Sequence, residues 1–442
     1  MIDIIVRSKR DADAVKAMIQ RFYSGWGIRV HTLHGARSLD KAVDRLEDIL
    51  SRDRFYVILL GREDKELACS LDKKLPFNTV VHVVPRARVR NTRLEHLASE
   101  FNYAKARLRL LITWGNDTYL LNNRTGSLLD GYEYNPAYDI FLLIGDRVHN
   151  LLRRLGGETC RNPLLQRRFS GVHKIYCGVE CIGELHIPDE GFKPTLLVNK
   201  KPSVESIDIS RIIEYNKDVL EGFEHISLEI LRKYRGWVDT VVVPWSGGKD
   251  STLVLYLVLR VYPREKVKAI YVDTGVEFPH TIQFIEEASR KLGIEVHRVY
   301  AGIDREIKCG KSLPTHTNRW CTELKIKAIE KAITELASGN TLVVTGDRDV
   351  ESKTRSNRPP ERGEEVKTIA PIKLWSTLHV QLYTLYKKLP QNPLYKYGFY
   401  RIGCYICPAL RSWEKYIILN RNIYSILIKR QLFKNYIHNI IH

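Results

Sequence analysis

The chain has 442 residues, of which 44% are hydrophobic and 27% are charged. This length predicts two or three domains, and the composition excludes both a small disulfide-stapled scaffold and a largely disordered chain. Lysine and arginine number 70 against 51 aspartates and glutamates, a formal net charge of +19. Such an excess favours an anionic partner, nucleic acid or a nucleotide, with a charge-rich thermophilic surface as the alternative.

The beginning of the chain reads as a strand, residues 1–7, and lacks the pattern of a signal peptide. No apolar run reaches the ~18 residues that a membrane helix requires. We therefore expect a cytoplasmic protein without a membrane partner. In that compartment the eight cysteines are interpreted as metal-binding or reactive thiols before disulfides.

Residues 1–95 are predicted to form a small α/β domain, because strand-like apolar runs alternate there with helical patterns. The strands are expected at 2–6, 55–60 and 80–84, and the helices at 11–23 and 39–51. The domain ends in four closely spaced arginines: Arg86, Arg88, Arg90 and Arg93. They form either a solvated loop or a patch that follows phosphates.

Residues 96–205 have a less regular pattern, and the sequence predicts no fold for them. The aromatic side chains are Tyr119, Tyr132, Tyr134, Tyr138 and Phe141, and the arginines are Arg153, Arg154, Arg161, Arg167 and Arg168. Interleaved aromatics and arginines suit single-stranded nucleic acid, although a tyrosine-rich core beside a basic surface explains them equally well. Cys160, Cys177 and Cys181 are either a second metal site or ordinary core thiols.

Residues 206–412 are predicted to form an α/β domain with a doubly wound parallel sheet. Apolar residues follow a helical spacing over 206–237, and strands recur at 241–245, 267–272, 295–300 and 341–345, separated by helical segments. A ligand is expected at the carboxyl ends of these strands. The remaining residues, 413–442, are interpreted as a basic C-terminal helix.

The sharpest motif is the run Ser246-Gly247-Gly248-Lys249-Asp250-Ser251, between a predicted strand and a predicted helix. Glycines let the backbone approach an anion, the helix N-terminus supplies partial positive charge, and Lys249 adds a full charge. The turn therefore suits a phosphate group. It is not a Walker A loop, which needs glycine in place of Val243 and serine or threonine in place of Asp250.

The S-G-G-K-D-S run resembles the PP-loop of the ATP pyrophosphatase superfamily, the adenine nucleotide alpha hydrolases. Further matching segments are 272–281, 320–325, 346–352 with Arg355, 371–375 and 403–408. Taken in order, they are similar to the phosphoadenosine phosphosulfate reductase family. The resemblance covers about 207–412 and leaves the first 200 residues uncovered.

The resemblance implies a binding site for ATP or a sulfated adenine nucleotide, together with Mg²⁺. Ser246, Gly247, Gly248, Lys249, Asp250 and Ser251 would hold the phosphates, and Asp273 with Thr274 would lie near the nucleotide. Arg348 and Arg355 would contact its anionic groups, because a guanidinium grips phosphate or sulfate oxygens with two hydrogen bonds. The residues expected to act in catalysis are Lys249, Asp273 and Arg348.

Four cysteines of the same segment are candidates for one metal site: Cys309, Cys321, Cys404 and Cys407. Four thiolates can bind zinc or hold an iron–sulfur cluster. The family resemblance favours a 4Fe-4S cluster, as some sulfonucleotide reductases and DNA phosphorothioation enzymes use. Those reductases have an adjacent cysteine pair where this chain has Trp320-Cys321, so zinc stays an alternative.

The chain departs from the family at its end. Sulfonucleotide reductases use a mobile C-terminal cysteine to attack the sulfate sulfur, whereas this chain has no cysteine after Cys407. This departure and the basic N-terminal half favour adenylation-dependent thiolation of nucleic acid, tRNA or DNA, with a sulfur donor protein as a further partner. Sulfonucleotide reduction is the first alternative, and an RNA-binding module that binds nucleotide without catalysis is the second.

Overall fold

The computed structural model of the chain describes residues 1–122, 127–129 and 134–441. They form two compact units, and neither is a continuous stretch of chain. Unit 1 combines 1–140, 208–234 and 347–383, and unit 2 combines 141–207, 235–346 and 384–442. The units cut across the expected boundaries near 95, 205 and 412, which stay a prediction.

The N-terminal part of unit 1 is a four-stranded parallel sheet in the order β2-β1-β3-β4. Its strands are β1 Ile2–Val6, β2 Val30–Thr32, β3 Phe55–Leu60 and β4 Thr79–Val83, and its helices are α1 Lys9–Phe22, α2 Leu39–Ile49, α3 Lys65–Asp72 and α4 Leu94–Leu110. Strand β3 is buried along its whole length, which explains its continuous apolar run. The additional N-terminal α/β region predicted from the sequence is confirmed.

The rest of unit 1 packs helices and two hairpins together. Its elements are β5 Ile112–Gly115, β6 Thr118–Leu121, α6 Ile209–Tyr215, α7 Lys217–Arg232, α12 Lys353–Asn357, β16 Glu361–Arg362, β17 Val366–Ile369 and α13 Thr377–Tyr386. Asn216 lies between α6 and α7 and accepts a hydrogen bond from the Leu121 amide at 2.6 Å. Its own amide group donates to the Tyr119 carbonyl at 2.8 Å. One buried side chain thus fixes the β5–β6 hairpin against both helices.

The aromatic stretch expected to suit nucleic acid is mainly core. Tyr119, Tyr134, Tyr138 and Phe141 are all less than 10% exposed, which confirms the tyrosine-rich core and leaves these four rings unsuited to stacking on bases. Tyr132 lies outside the described residues.

Unit 2 contains an antiparallel sheet in the order β11-β10-β9-β8-β7. Its strands are β7 Asp139–Leu142, which begins at the end of unit 1, β8 Leu164–Arg167, β9 Val172–Cys177, β10 Glu180–His186 and β11 Thr195–Val198, and α5 Asp146–Arg154 follows β7. The sheet supplies the fold that the sequence did not predict for this region.

A disulfide joins Cys160 and Cys177, with the two Cα atoms 5.9 Å apart. The expectation that the cysteines serve as thiols is therefore wrong for this pair. The expected cellular compartment did not predict this disulfide, because it contains no information about the fold. In the fold, the segment after α5 runs beside the end of β9. Cys181 is a free, partly buried thiol.

The second sheet of unit 2 contains four parallel strands in the order β14-β13-β12-β15. The strands are β12 Thr240–Pro244, β13 Val267–Asp273, β14 Val296–Tyr300 and β15 Thr341–Val344, and the helices are α8 Lys249–Leu259, α9 Pro279–Leu292, α10 Ile303–Lys308 and α11 Trp320–Leu336. The chain order reverses at β12, which has β13 on one side and β15 on the other. This reversal confirms the doubly wound α/β fold, and such a switch point is where open parallel sheets bind ligands.

The C-terminal segment forms three short helices, α14 Ser412–Ile418, α15 Arg421–Leu427 and α16 Gln431–Ile441, instead of one. The helical structure is interrupted at Asn420, whose side chain caps α15 by accepting the Asn422 amide hydrogen at 3.5 Å. His442 lies outside the described residues. Across 1–122, 127–129 and 134–441, every helix is too short or too polar to cross a bilayer.

Candidate nucleotide-binding site

The predicted PP-loop, residues 246–251, connects β12 to α8. Gly247 has a left-handed backbone with φ of +71°, and a Cβ atom there would lie 3.2 Å from Ile285 Cδ1. The positive φ favours glycine at this position, and the tight space beside Ile285 adds to that preference. The loop then enters α8 at Lys249, so its amides and the helix N-terminus face the carboxyl edge of the sheet, where an anion is stabilised.

Hydrogen bonds within the loop hold it in shape. The Ser251 hydroxyl donates to the Gly248 carbonyl at 3.2 Å, and it lies 3.2 Å from the Ser246 hydroxyl. The Trp245 indole donates to the Thr252 hydroxyl at 2.9 Å. These hydrogen bonds fix the backbone shape of the loop.

Lys249 lies among aromatic rings. Its Nζ is 3.2 Å from a carboxylate oxygen of Asp250 and donates to the Tyr400 carbonyl at 3.3 Å. The same atom lies 5.2 Å from the centre of the Tyr400 ring and 5.8 Å from that of Tyr395. The side chain is only 11% exposed. Its charge is consequently less screened by water than that of a surface lysine.

Residues 395–400, which we call the tyrosine segment, cover the PP-loop. The Tyr395 hydroxyl accepts the Lys249 amide hydrogen at 2.8 Å, the first amide of α8. Asn392, just before the segment, donates to the Thr281 hydroxyl at 3.0 Å and to the Gly247 carbonyl at 3.5 Å. The segment is thus attached both to the loop and to the start of α9.

Asp273 and Thr274 follow β13, the parallel neighbour of β12, and so lie at the same edge of the sheet as the PP-loop. Asp273 accepts hydrogen bonds from the Gly275 amide at 2.9 Å and from the Arg298 guanidinium at 2.5 Å. Thr274 is fully buried and donates to Glu277 at 2.8 Å. The structure therefore brings the expected residues of both motifs to one edge.

Arg348 and Arg355 belong to unit 1. Arg348 is buried, with a guanidinium nitrogen 3.6 Å from Asp139 and a hydrogen bond of 3.4 Å to the Trp375 carbonyl. Arg355 is one-third exposed; its guanidinium contacts Glu351 and lies 3.4 Å from Asp347. Their role as anion contacts stays a prediction.

Behind these arginines lies a buried lysine–aspartate cluster. Asp349 is 3.2 Å from Lys105 Nζ and 2.7 Å from Lys373 Nζ, and the two ammonium groups lie 4.6 and 5.1 Å from the Trp26 ring. Burial lowers the pKa of Lys105 to about 8. Burial also opposes the charge of Asp349, but the two lysines outweigh it and hold the pKa of Asp349 below its usual range. Lys373 further donates to the Arg355 carbonyl at 2.7 Å, so the cluster also holds the backbone at Arg355.

The four predicted cysteine ligands do not form a common site. Cys404 and Cys407 are hydrogen-bonded to each other and Cys321 is buried, whereas Cys309 is exposed at the end of α10. Among the described residues, no group of three or more His, Cys, Asp or Glu side chains is placed to hold a metal ion. The cysteines as placed therefore do not fit a 4Fe-4S cluster or a four-cysteine zinc site.

A partly exposed lysine instead lies beside the thiols. Burial opposes the charge of Lys325, but Cys404, Glu277 and Cys407 outweigh it, and together they raise the pKa of Lys325. Lys325 Nζ is 3.9 Å from the Glu277 carboxylate. The Tyr405 amide donates to the Val276 carbonyl at 3.1 Å, which ties the cysteine turn to the loop after β13.

Comparison with known proteins finds a domain match within the chain. Residues 240–410 match the phosphoadenosine phosphosulfate reductase domain. The chain is also similar to an uncharacterized protein of Methanocaldococcus jannaschii, with 32% identity over 51% of this chain and 47% of the relative. It is 29% identical to an adenosine 5'-phosphosulfate reductase of Bacillus cytotoxicus, over 39% of this chain and 75% of that enzyme.

The chain spans about half the length of the archaeal relatives it matches. Among solved structures, the chain is similar to a phosphoadenylyl-sulfate reductase from Candida auris in complex with phosphate. The alignment covers 45% of this chain and 96% of the reductase chain, at 22% identity and a TM-score of 0.35.

Several contacts in the two units were not predicted from the sequence. Asn392, Tyr395 and Tyr400 lie within the matched domain but more than 140 residues after Lys249 in the chain. Lys105 lies outside the domain and is 244 residues from its partner Asp349. A lysine inside an apolar helical pattern was the one local signal that could have indicated Lys105.

Proposed function

We propose that the chain binds an adenine nucleotide at the PP-loop and uses it to transfer sulfur to nucleic acid, with tRNA as the favoured acceptor. The observation that carries the proposal is the environment of Lys249. Lys249 Nζ lies 5.2 Å from the centre of the Tyr400 ring, and the same ring also faces Arg167, 5.9 Å away. Arg167 comes from β8, outside the reductase domain. Because Arg167 lies beyond the nucleotide loop, it could pair with a phosphate group of an acceptor that is larger than a nucleotide.

In this reaction an acceptor oxygen attacks the α-phosphorus of ATP. The bond from that phosphorus to the bridging oxygen breaks, and pyrophosphate leaves on the loop amides and Lys249, which balance its negative charge. Sulfur at the sulfide oxidation level, supplied by a donor, then attacks the atom that carries the activated oxygen. Adenylate leaves with that oxygen, so no net oxidation or reduction occurs.

The chain offers one carboxylate at the loop for Mg²⁺. Asp250 is 17% exposed and ion-pairs with Lys249, and it would hold the ion together with phosphate oxygens of the nucleotide. A magnesium site of this kind needs few protein ligands and supplies charge neutralisation.

The test is pyrophosphate release from ATP with and without tRNA. We expect release that depends on tRNA and that is lost in Lys249→Ala but kept in Lys291→Ala, a control at an exposed lysine of α9. Sulfur incorporation into the tRNA, measured after adding a sulfide source, completes the assay. Absence of pyrophosphate release with tRNA, DNA and no acceptor alike would contradict the proposal.

Sulfonucleotide reduction is a second candidate, favoured by the family and by the hydrogen-bonded pair Cys404 and Cys407. The Cys407 thiolate would attack the sulfate sulfur, and the adenosine phosphate would leave. Cys404 would then attack Cys407, releasing sulfite and forming a disulfide that an external thiol must reduce. Sulfite release from a sulfated adenylate that is lost in Cys407→Ser, without tRNA-dependent pyrophosphate release, would select this reaction. Nucleotide binding without either product would select the non-catalytic module.

A further inference from the structure

Two tyrosines of the tyrosine segment have an arginine against their rings. Arg147 of α5 lies 4.4 Å from the centre of the Tyr397 ring. Arg167, at the end of β8, is 3.4 Å from the Tyr400 hydroxyl and 5.9 Å from the centre of that ring. Both arginines come from outside the reductase domain. The antiparallel sheet and α5 thus bring positive charge to the cover of the PP-loop.

The turn after β8 presents an aromatic side chain to solvent. Phe169 is 56% exposed and follows Arg167 and Arg168. Ser170 has a left-handed φ of 54°, and a Cβ atom on Gly171 would lie 2.1 Å from the Ile187 carbonyl oxygen. These two positions fix the backbone of the turn. The exposure of Phe169 is therefore built into the turn.

The charges around these rings are mainly positive. Arg147, Lys396 and Arg401 are exposed. The nearby acids Asp146 and Asp189 face Arg161, at 3.6 Å, and Arg411, at 2.9 Å. These acids are already neutralised by other arginines, so they offset little of the charge beside the tyrosines.

We propose that Arg147, Arg167, Phe169, Tyr397 and Tyr400, here called the tyrosine–arginine surface, bind single-stranded nucleic acid. An unpaired base stacks on the exposed Phe169 ring while the guanidinium groups, held against the two tyrosines, pair with phosphates, and the strand leads to Lys249. Duplex is disfavoured because its bases are already stacked. The acceptor role of the strand rests on the proposed function, whereas binding at this surface does not.

The arginines near residue 90 are poorer candidates. Arg88 is 2.8 Å from Glu63, and Arg90 is 3.6 Å from Asp11. These ion pairs compete with phosphates for the same guanidinium groups. The tyrosine–arginine surface is therefore the better site for nucleic acid than the arginine patch that follows β4.

The experiment is fluorescence anisotropy of the full-length chain with an unstructured single-stranded RNA and with a duplex of the same length, at two salt concentrations. Arg147→Ala/Arg167→Ala should weaken single-strand binding at least tenfold and flatten the salt slope by about 1.4, which is about 0.7 for each phosphate that is no longer neutralised. Phe169→Ala should weaken it about tenfold and leave ATP affinity unchanged. The control is Arg290→Ala/Lys291→Ala, at the exposed end of α9.

Thermal melts verify that each variant is folded. Unchanged RNA affinity in the folded surface variants would overturn the proposal, even if tRNA-dependent pyrophosphate release is observed. Equal affinity for duplex and single strand would also overturn it, as would absence of binding at low salt. The expected decreases in affinity without pyrophosphate release would support the surface and contradict only the proposed reaction.

Discussion

Lys105 is predicted to make the stability of the protein depend on pH in the alkaline range. Burial lowers its pKa from 10.5 to about 8 in the folded chain, which corresponds to about 3 kcal/mol. Because the folded pKa is the lower one, the unfolded chain binds the proton more tightly. The stability linked to this group is fully present above pH 10.5 and is lost as the pH falls through 8.

Lys105→Met removes this dependence while Lys373 continues to pair with Asp349 at 2.7 Å. We expect the free energy of unfolding of the wild type, relative to Lys105→Met, to rise by about 3 kcal/mol between about pH 7.5 and pH 10.5. Urea unfolding at several pH values in this range measures it. Lys16→Met, at an exposed position of α1, is the matched control and should show no such rise. A wild-type–variant difference that stays constant across the range would refute the reasoning.

Three further predictions concern unit 2. Lys249→Ala should lower nucleotide turnover by about 10²- to 10³-fold with little change in melting temperature, and unaltered nucleotide affinity by calorimetry would remove Lys249 from the site. Tyr395→Phe should tighten nucleotide binding several-fold, because a phosphate oxygen no longer competes with the hydroxyl for the Lys249 amide; weaker binding would mean that the hydroxyl itself contacts the nucleotide. Replacing Cys160 and Cys177 by alanine should lower the free energy of unfolding by about 3 kcal/mol, given their sequence separation of 17, and equal urea midpoints with and without the pair would argue against the cross-link.

The elements that sequence reasoning located best are those with strong local signals. The apolar runs of β1 and β3 have the predicted bounds, because a strand buried on both faces has almost no polar residues. The PP-loop was found for a similar reason. Its glycines, lysine and flanking strand and helix are consecutive in the chain, so one short window contains the whole geometry.

The contacts that sequence reasoning missed join distant parts of the chain. Nothing near Tyr395 indicates that its hydroxyl meets the Lys249 amide, and nothing near Asp349 indicates a lysine in α4. The cysteines illustrate a different limit. Spacing suggested that Cys309 joins Cys321 and the Cys404–Cys407 turn, but spacing does not determine which side chains meet, and Cys309 is exposed.

The discontinuous units have a consequence for synthesis of the chain. Unit 1 needs residues 347–383, which include the fully buried Ile372 and Trp375, so its core is incomplete until most of the chain has left the ribosome. Contacts this distant in sequence close large loops and slow folding. A nascent chain that ends before residue 347 exposes apolar surface meant for that segment, which makes it a substrate for chaperones and a source of aggregation.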